Sequence, residues 1–481
     1  MKRRNFLIQS SLLTAGAIAM PQNMVATKIQ ETIKGKFKSM RPALADRNFT
    51  SVAVENTIKK IKAVIKDKEL AWMFENCFPN TLDTTIDYEI IDGKPDTFVI
   101  TGDIDAMWLR DSTAQVWPYM SLISKDKKLK KLVKGLINRQ VKCVILDPYA
   151  NAFYKDKTKI SHWKSDVTQM LPGIHERKWE IDSLCYVVRL ANEYYQITND
   201  ASIFDKDWDK AMRLIVKTFK TEQRKNNESD YYFSRNSTSV IDSPPFGGTG
   251  RPAKPNGLIC SMFRPSDDST MYPYLIPSNI FAALSLKQLS VIYKNELDEN
   301  EFATVCEEMS IEVDNAVKKY AISKHLNYGK IYAYEVDGFG NKLFTDDANV
   351  PSLMSLAYLG AHKLTDKLYK NTRKFLLSDN NPYFLKGKLA EGQGSPHTGK
   401  NKIWPMGIIL RAMTSTDTNE IIKCLKMLKA THAGTGFMHE GFDKDNPKNY
   451  GRDWFAWANT LFGELILKVY NENRSLLDLK F

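Results

Sequence analysis

No two cysteines of this chain are close enough for a C-x-x-C pair. Cys77, Cys143, Cys185, Cys260, Cys306 and Cys424 are scattered, which argues against a cysteine-built zinc or redox site. Cys143 in VKCVIL and Cys185 in SLCYVV stand in apolar runs, where the thiol serves as a small buried hydrophobe. No apolar run approaches the roughly 18 to 20 residues of a membrane helix. No Pro-, Gly- or Ser-rich linker divides the 481 residues, and no internal repeat is evident. Phosphate-binding glycine loops and serine-hydrolase signatures are also missing. Strand-like runs are few and short, at 88–91, 98–100, 231–234 and 331–335.

What is present suits a large packed core. Hydrophobic residues make up 43% and aromatics 11%, outside the range of disordered chains. The formal charge is +12, of which Lys2, Arg3 and Arg4 supply three charges. The other lysines are dispersed over helix-like segments such as 57–68 and 126–134 and read as solvated faces. No basic run is interleaved with stacking aromatics, so neither nucleic acid nor a membrane is expected as a partner. The opening MKRRNFLIQSSLLTAGAIAM has the charged and apolar regions of a twin-arginine export signal. Residues 1–26 are therefore expected to be removed, leaving 27–481 as one periplasmic or secreted domain.

Apolar residues recur at three- and four-residue spacing from residue 51 onward. The pattern predicts helices over 51–66, 104–122, 126–146, 177–197, 204–221, 277–294, 299–320, 351–361, 364–377, 402–414, 417–430 and 453–471. Taken in consecutive pairs they form six hairpins, the count of an all-α (α/α)6 barrel. Long polar connections at 147–176, 222–276, 336–350, 379–401 and 431–452 separate many of them. Loops of that length inside a compact domain are usually functional.

Three clusters carry most of the chemistry. Residues 101–112, TGDIDAMWLRDS, place Asp103, Asp105, Trp108, Arg110 and Asp111 where a short strand meets a helix. One aspartate there could cap the helix, but capping does not account for Trp108, Arg110 and Asp111 together. An aromatic face with carboxylate and guanidinium groups suits a sugar. An Asp-x-Asp metal site is the weaker reading, since companion ligands are missing nearby. The second cluster, FRPSDD at 263–268, sets Asp267 beside Asp268. Adjacent desolvated carboxyls raise each other's proton affinity, as a general acid requires; a cap plus a solvated aspartate is the structural alternative. The third, GTGFMHEGF at 434–442 with RDWFAWAN at 452–459, offers Glu440 as a base beside His439. Phe442, Trp454, Phe455 and Trp457 could wall a site or pack as core, with core favoured for Trp457 inside its helical stretch. A weaker stretch, GSPHT with IWP, adds His397.

These motifs, with DPYANAF, WEIDSLCY, YLIPSN, IYAYEVDGFG and DDANVPSL between them, occur in an order that resembles glycoside hydrolase family 125, the bacterial exo-acting α-1,6-mannosidases. The resemblance runs from about residue 40 to 470. It implies an (α/α)6 barrel, an α-mannoside glycan as substrate, inversion at the anomeric carbon, and no metal or cofactor. Carried over by motif, the general acid lies in Arg264–Asp268, at Asp267 or Asp268 with Asp268 favoured, and Glu440 is the base. Asp103, Trp108, Arg110, Asp111, Arg264 and His397 are the implied sugar contacts. The alternatives are a barrel glycosidase of other linkage preference and a glycan-binding protein without catalysis.

Overall fold

The computed structural model describes residues 37–226 and 229–481. The expected export signal lies outside the described residues. Residues 40–481 form one compact unit.

The described residues contain thirteen α-helices. They are α1 (Val52–Lys62), α2 (Lys68–Cys77), α3 (Asn80–Thr84), α4 (Leu109–Val116), α5 (Lys127–Leu146), α6 (Ile181–Thr198) and α7 (Lys206–Glu222). After these come α8 (Ile276–Asn295), α9 (Asn300–Tyr320), α10 (Lys367–Leu376), α11 (Pro405–Met413), α12 (Thr418–Thr431) and α13 (Ala456–Glu472). Helices α4, α6 and α8, the 3-10 turn Met354–Leu356, α11 and α13 touch one another in a closed ring. Helices α2, α5, α7, α9, α10 and α12 each pack on the outside of a ring member. The fold is an (α/α)6 barrel.

The split between the layers follows from the side chains. Outer helices are amphipathic: α7 buries Trp208, Ala211, Met212, Ile215 and Phe219 and leaves its lysines to solvent. Inner helices are covered on nearly all sides, so α4 is buried from Leu109 through Val116. Asp126 and Asp205 start α5 and α7 by accepting two backbone N–H groups each.

The helix expected at 351–361 is a single 3-10 turn. Asp346 accepts the N–H groups of Leu353 and Met354 at 2.8 and 3.1 Å, and Ser352 and Ser355 bond each other's backbone. These side-chain bonds replace the helical ladder. The helix expected from 104 begins only at Leu109, because Trp108 pairs across a short antiparallel ladder with Ala152. Helices α2 and α3 were not anticipated.

The strands are short and gather in the loops. Met107–Trp108, Ala152–Phe153 and Ile174–Glu176 form one three-stranded sheet. Lys402–Ile403 pairs antiparallel with Phe442–Asp443. Such ladders fix the long connections and hold the functional side chains.

Candidate active site

The first turns of inner helices α4 and α13 and the N-cap of α11 converge on a pocket with about 450 Å³ of open volume. Trp108, the N-cap of α4, lines it together with Arg110 and Asp111 from the first turn. Trp404, the N-cap of α11, and Phe455 and Trp457 at the start of α13 add aromatic walls. Loops contribute Asp267, Asn349, His397, Glu440 and Arg452. The pocket therefore gathers residues from all three sequence clusters.

One lining group is built to receive a polar atom. Trp108 Nε1, Arg110 Nε and Asp111 Oδ2 are buried without a hydrogen bond among the described residues, the last two standing 3.4 Å apart as an ion pair. A buried polar atom left unpaired costs about 1–3 kcal/mol, so the indole N–H of Trp108 favours a ligand that accepts from it. The other Asp111 oxygen accepts from Thr101 Oγ1 at 2.8 Å, which fixes the carboxyl. Burial raises the Asp111 pKa, with Arg110 acting against it.

The two adjacent aspartates have different surroundings. Asp267 lines the pocket with 24 % of its side chain open. Its φ of 65° is left-handed, a conformation that costs an aspartate about 1–2 kcal/mol and needs support. Support comes from Arg264, whose carbonyl accepts the Asp267 N–H at 2.9 Å, and from Lys178, whose Nζ donates to the Asp267 carbonyl at 2.7 Å. Arg110 Nη2 and Asn151 Nδ2 reach the carboxylate at 3.3 and 3.4 Å. Burial works to raise the Asp267 pKa, but Arg110, Lys178 and a hydrogen bond from Glu180 outweigh it and hold the group below the usual carboxylate range.

Asp268 is 1 % exposed and does not line the pocket. Its Oδ1 stands 3.0 Å from His397 Nδ1, and Ser266 Oγ donates to Oδ2 at 3.3 Å. Burial raises the Asp268 pKa. For His397, burial favours the neutral ring, but Asp268 reverses the balance and lifts the imidazole to about 9. His397, its charged form favoured by the Asp268 carboxyl behind it, thus faces the pocket.

Glu440 sits in the loop before Phe442, with its Oε1 3.9 Å from Arg452 Nε. Its neighbour His439 turns inward, bonds the Arg452 carbonyl at 2.8 Å and stacks on Tyr450 at 3.8 Å between ring centres. His439 therefore anchors the backbone on which Glu440 is carried.

The remaining expected contacts are placed differently. Asp103 lies outside the pocket lining, 55 % exposed, 3.6 Å from Arg452 Nη1. Arg264 points away from the pocket into a buried ion pair with Glu335 at 2.6 Å. The other Glu335 oxygen accepts the N–H groups of Met271 and Tyr272 at 2.9 Å each, so Arg264 anchors its loop from behind. Asp105 pairs with Lys159 at the surface. Among the described residues, no group of three or more His, Cys, Asp or Glu could hold a metal ion.

Sequence reasoning missed the carboxylates behind the pocket. Glu180 and Asp182 at the start of α6 are fully buried and both meet Arg110 Nη1, at 2.5 and 3.3 Å. The available signal was charge inside an otherwise apolar helix start, WEIDSLCYVV, with two acids two residues apart.

Known proteins resemble this chain in sequence and in fold. Residues 67–467 match the family described as metal-independent α-mannosidase, GH125. The chain is 40% identical over 457 residues to the meiotically up-regulated gene 157 protein of Schizosaccharomyces pombe, covering 91% of this chain and 89% of that one. A Streptococcus pneumoniae metal-independent α-mannosidase, solved as a non-productive complex with α-1,6-mannobiose, superposes with a TM-score of 0.83 at 39% identity. That match covers 90% of this chain and all of the other. A bacterial glucoamylase bound to acarbose shares the fold at a TM-score of 0.51 and 14% identity, over 89% of this chain and 58% of its own. The chain belongs to glycoside hydrolase family 125, the metal-independent α-mannosidases.

Proposed function

We propose that this α-mannosidase is exo-acting, removes terminal α-1,6-linked mannose from glycans and inverts the anomeric carbon. The observation that carries the reading is one small pocket lined by two carboxylates from distant loops, Asp267 and Glu440, among aromatic walls with an unpaired indole N–H. In this reading Asp267 protonates the glycosidic oxygen. Asp268, walled off from the pocket, holds His397 instead. Glu440 takes a proton from the attacking water, whose oxygen forms the new bond to the anomeric carbon. Trp108, Arg110, Asp111 and His397 bind the sugar hydroxyls. The α-1,6-mannobiose bound by the S. pneumoniae relative supports the linkage.

The test is mannose release from α-1,6-, α-1,2- and α-1,3-mannobiose by wild type, Glu440→Gln and Asp267→Asn, with the first-formed anomer followed by NMR. Cleavage of the α-1,6 isomer alone, β-mannose as first product, and loss in both variants are expected. Binding without cleavage by wild type would replace this reading with a glycan-binding protein. The Arg3-Arg4 pair ahead of a short apolar run supports action outside the cytoplasm. Export of a tagged full-length chain, abolished by Arg3→Lys with Arg4→Lys, checks that part.

A further inference from the structure

An acid must carry a proton when the substrate arrives, yet Arg110 and Lys178 both favour the ionised form of Asp267. The proton has to be held elsewhere and delivered. The groups packed behind Asp267 show where.

One guanidinium serves four carboxylates there. Arg110 Nη1 donates to Glu180 Oε2 at 2.5 Å and to Asp182 Oδ2 at 3.3 Å, Nη2 donates to Asp267 Oδ1, and Nε lies 3.4 Å from Asp111 Oδ2. Lys178 stands beside the Asp267 carbonyl, and His397 adds a charge from the pocket side. Ser278 of α8 and Ser183 of α6 only donate, to Asp182 and Glu180. Glu180, Asp182 and Asp111 are desolvated and share one buried cation, Arg110, which favours a neutral form for at least one of them.

With Asp111 and Asp182, Glu180 is one of three members whose burial favours the neutral form. It is 0 % exposed. Its Oε2 accepts from Arg110 and Ser183, while Oε1 is buried without a donor among the described residues. The group within hydrogen-bond reach of Glu180 is the carboxyl of Asp267, itself an acceptor. Two carboxyl oxygens attract each other only through a shared proton. Burial, with Asp267 and Asp182 adding to it and Arg110 opposing, raises the Glu180 pKa well above its ordinary value.

We propose that Glu180 is the proton reservoir of the acid, its neutral carboxyl hydrogen-bonded to Asp267 and recharging it in each turnover. This rests on the assignment of Asp267 as the acid. As the anomeric carbon–oxygen bond breaks, its electron pair stays on the glycosidic oxygen, which takes a proton from Asp267 while Asp267 takes the Glu180 proton. One proton thus leaves the pair, and Glu180 is left as carboxylate. Water supplies the hydroxyl at the anomeric carbon and leaves one proton on Glu440. Glu440 returns that proton to solvent, and the Asp267–Glu180 pair takes one up through the open edge of Asp267, so the balance closes. Glu180 does not touch the sugar; it acts through Asp267.

The experiment is the pH profile of kcat/KM on α-1,6-mannobiose for wild type, Glu180→Gln and Glu180→Asp. A 2,4-dinitrophenyl α-mannoside, whose leaving group needs no proton, runs in parallel. In Glu180→Gln the alkaline limb should move down by about one pH unit or more, with a loss of about tenfold or more at pH 7. KM should stay within about twofold, and the activated substrate should keep most of its rate. Glu180→Asp, which retains an ionisable carboxyl, should place the limb nearer the wild-type position. An unmoved limb, equal loss on both substrates, or equal shifts in the two variants would overturn the reservoir and leave Glu180 as a prop for Arg110. If the Gln variant does not fold, an Asp variant with a wild-type limb and equal losses on both substrates overturns it too. Wild type that releases no mannose from any mannobiose removes the parent reading instead.

Discussion

Asp268→Asn should change the charge of the pocket without removing a group that faces it. In wild type, His397 is lifted from 6.5 to about 9 through its 3.0 Å contact with Asp268, against the effect of burial. Taken whole, a rise of that size is worth about 3.4 kcal/mol. His397 keeps 35 % of its side chain open, so solvent screening reduces the coupling to about 1–2 kcal/mol. The sign follows from the raised folded pKa. The pair's stabilisation is fully present below the unfolded pKa near 6.5 and is lost as pH rises through about 9. It also fades at acid pH once Asp268 itself is protonated. In Asp268→Asn burial acts with less opposition, and the imidazole should titrate about one unit lower or more. The assay is an NMR titration of the His397 ring protons, assigned with His397→Gln, beside denaturant unfolding at pH 6 and 9. The stability gap between wild type and variant should be wide at pH 6 and narrow at pH 9. A wild-type His397 titrating at or below 6.5, or one unmoved by the substitution, would refute the reasoning.

Three further outcomes are expected. Arg264→Met leaves Glu335 buried without its cation and should cost about 3–5 kcal/mol in denaturant unfolding, with sugar affinity of the folded fraction little changed. In Gly463→Ala the new Cβ would stand 2.9 Å from the Phe78 Cα, a backbone atom, so about 1–3 kcal/mol should be lost as α13 is pushed off the α2–α3 junction. Glu464 accepts from Tyr358 Oη at 2.9 Å, and burial pushes its carboxyl from 4.5 up to about 7. A raised acid destabilises the fold as pH climbs from the unfolded toward the folded pKa. Glu464→Gln should therefore match wild type at pH 5 and exceed it by about 1–3 kcal/mol at pH 8, read by denaturant melts.

The outer helices were the most legible part of the fold because their two faces meet different solvents. The segments expected at 126–146, 204–221, 299–320 and 417–430 match α5, α7, α9 and α12 to within two residues at each end. Helix α2 escaped notice since Leu70 through Phe74 are all buried, leaving no polar stripe to mark a period. The turn at Met354–Leu356 was misread because LMSLAYL has helical spacing, while the competing acceptor Asp346 lies outside the window. In the site, Trp108, Arg110, Asp111, His397 and Glu440 stood out as polar or aromatic residues in loops and at helix starts, and all line the pocket. Arg264 carries the same signal, yet its partner Glu335 comes from a strand far along the chain, which local reading cannot supply. Which of two adjacent aspartates faces a cavity depends on one backbone torsion, the positive φ of Asp267.

The short ladder joining Lys402–Ile403 to Phe442–Asp443 has a further consequence. His397 lies on the segment leading into one strand and Glu440 on the segment leading into the other, and Trp404 Nε1 bonds back to Thr398 Oγ1 at 2.8 Å. The two loops therefore behave as a single mechanical part. An insertion tolerated in either alone would be felt by both, so a graft meant to alter substrate choice has to carry residues 394–404 and 438–450 together. Recombined sequences that split them should lose turnover, since His397 and Glu440 would no longer share one support.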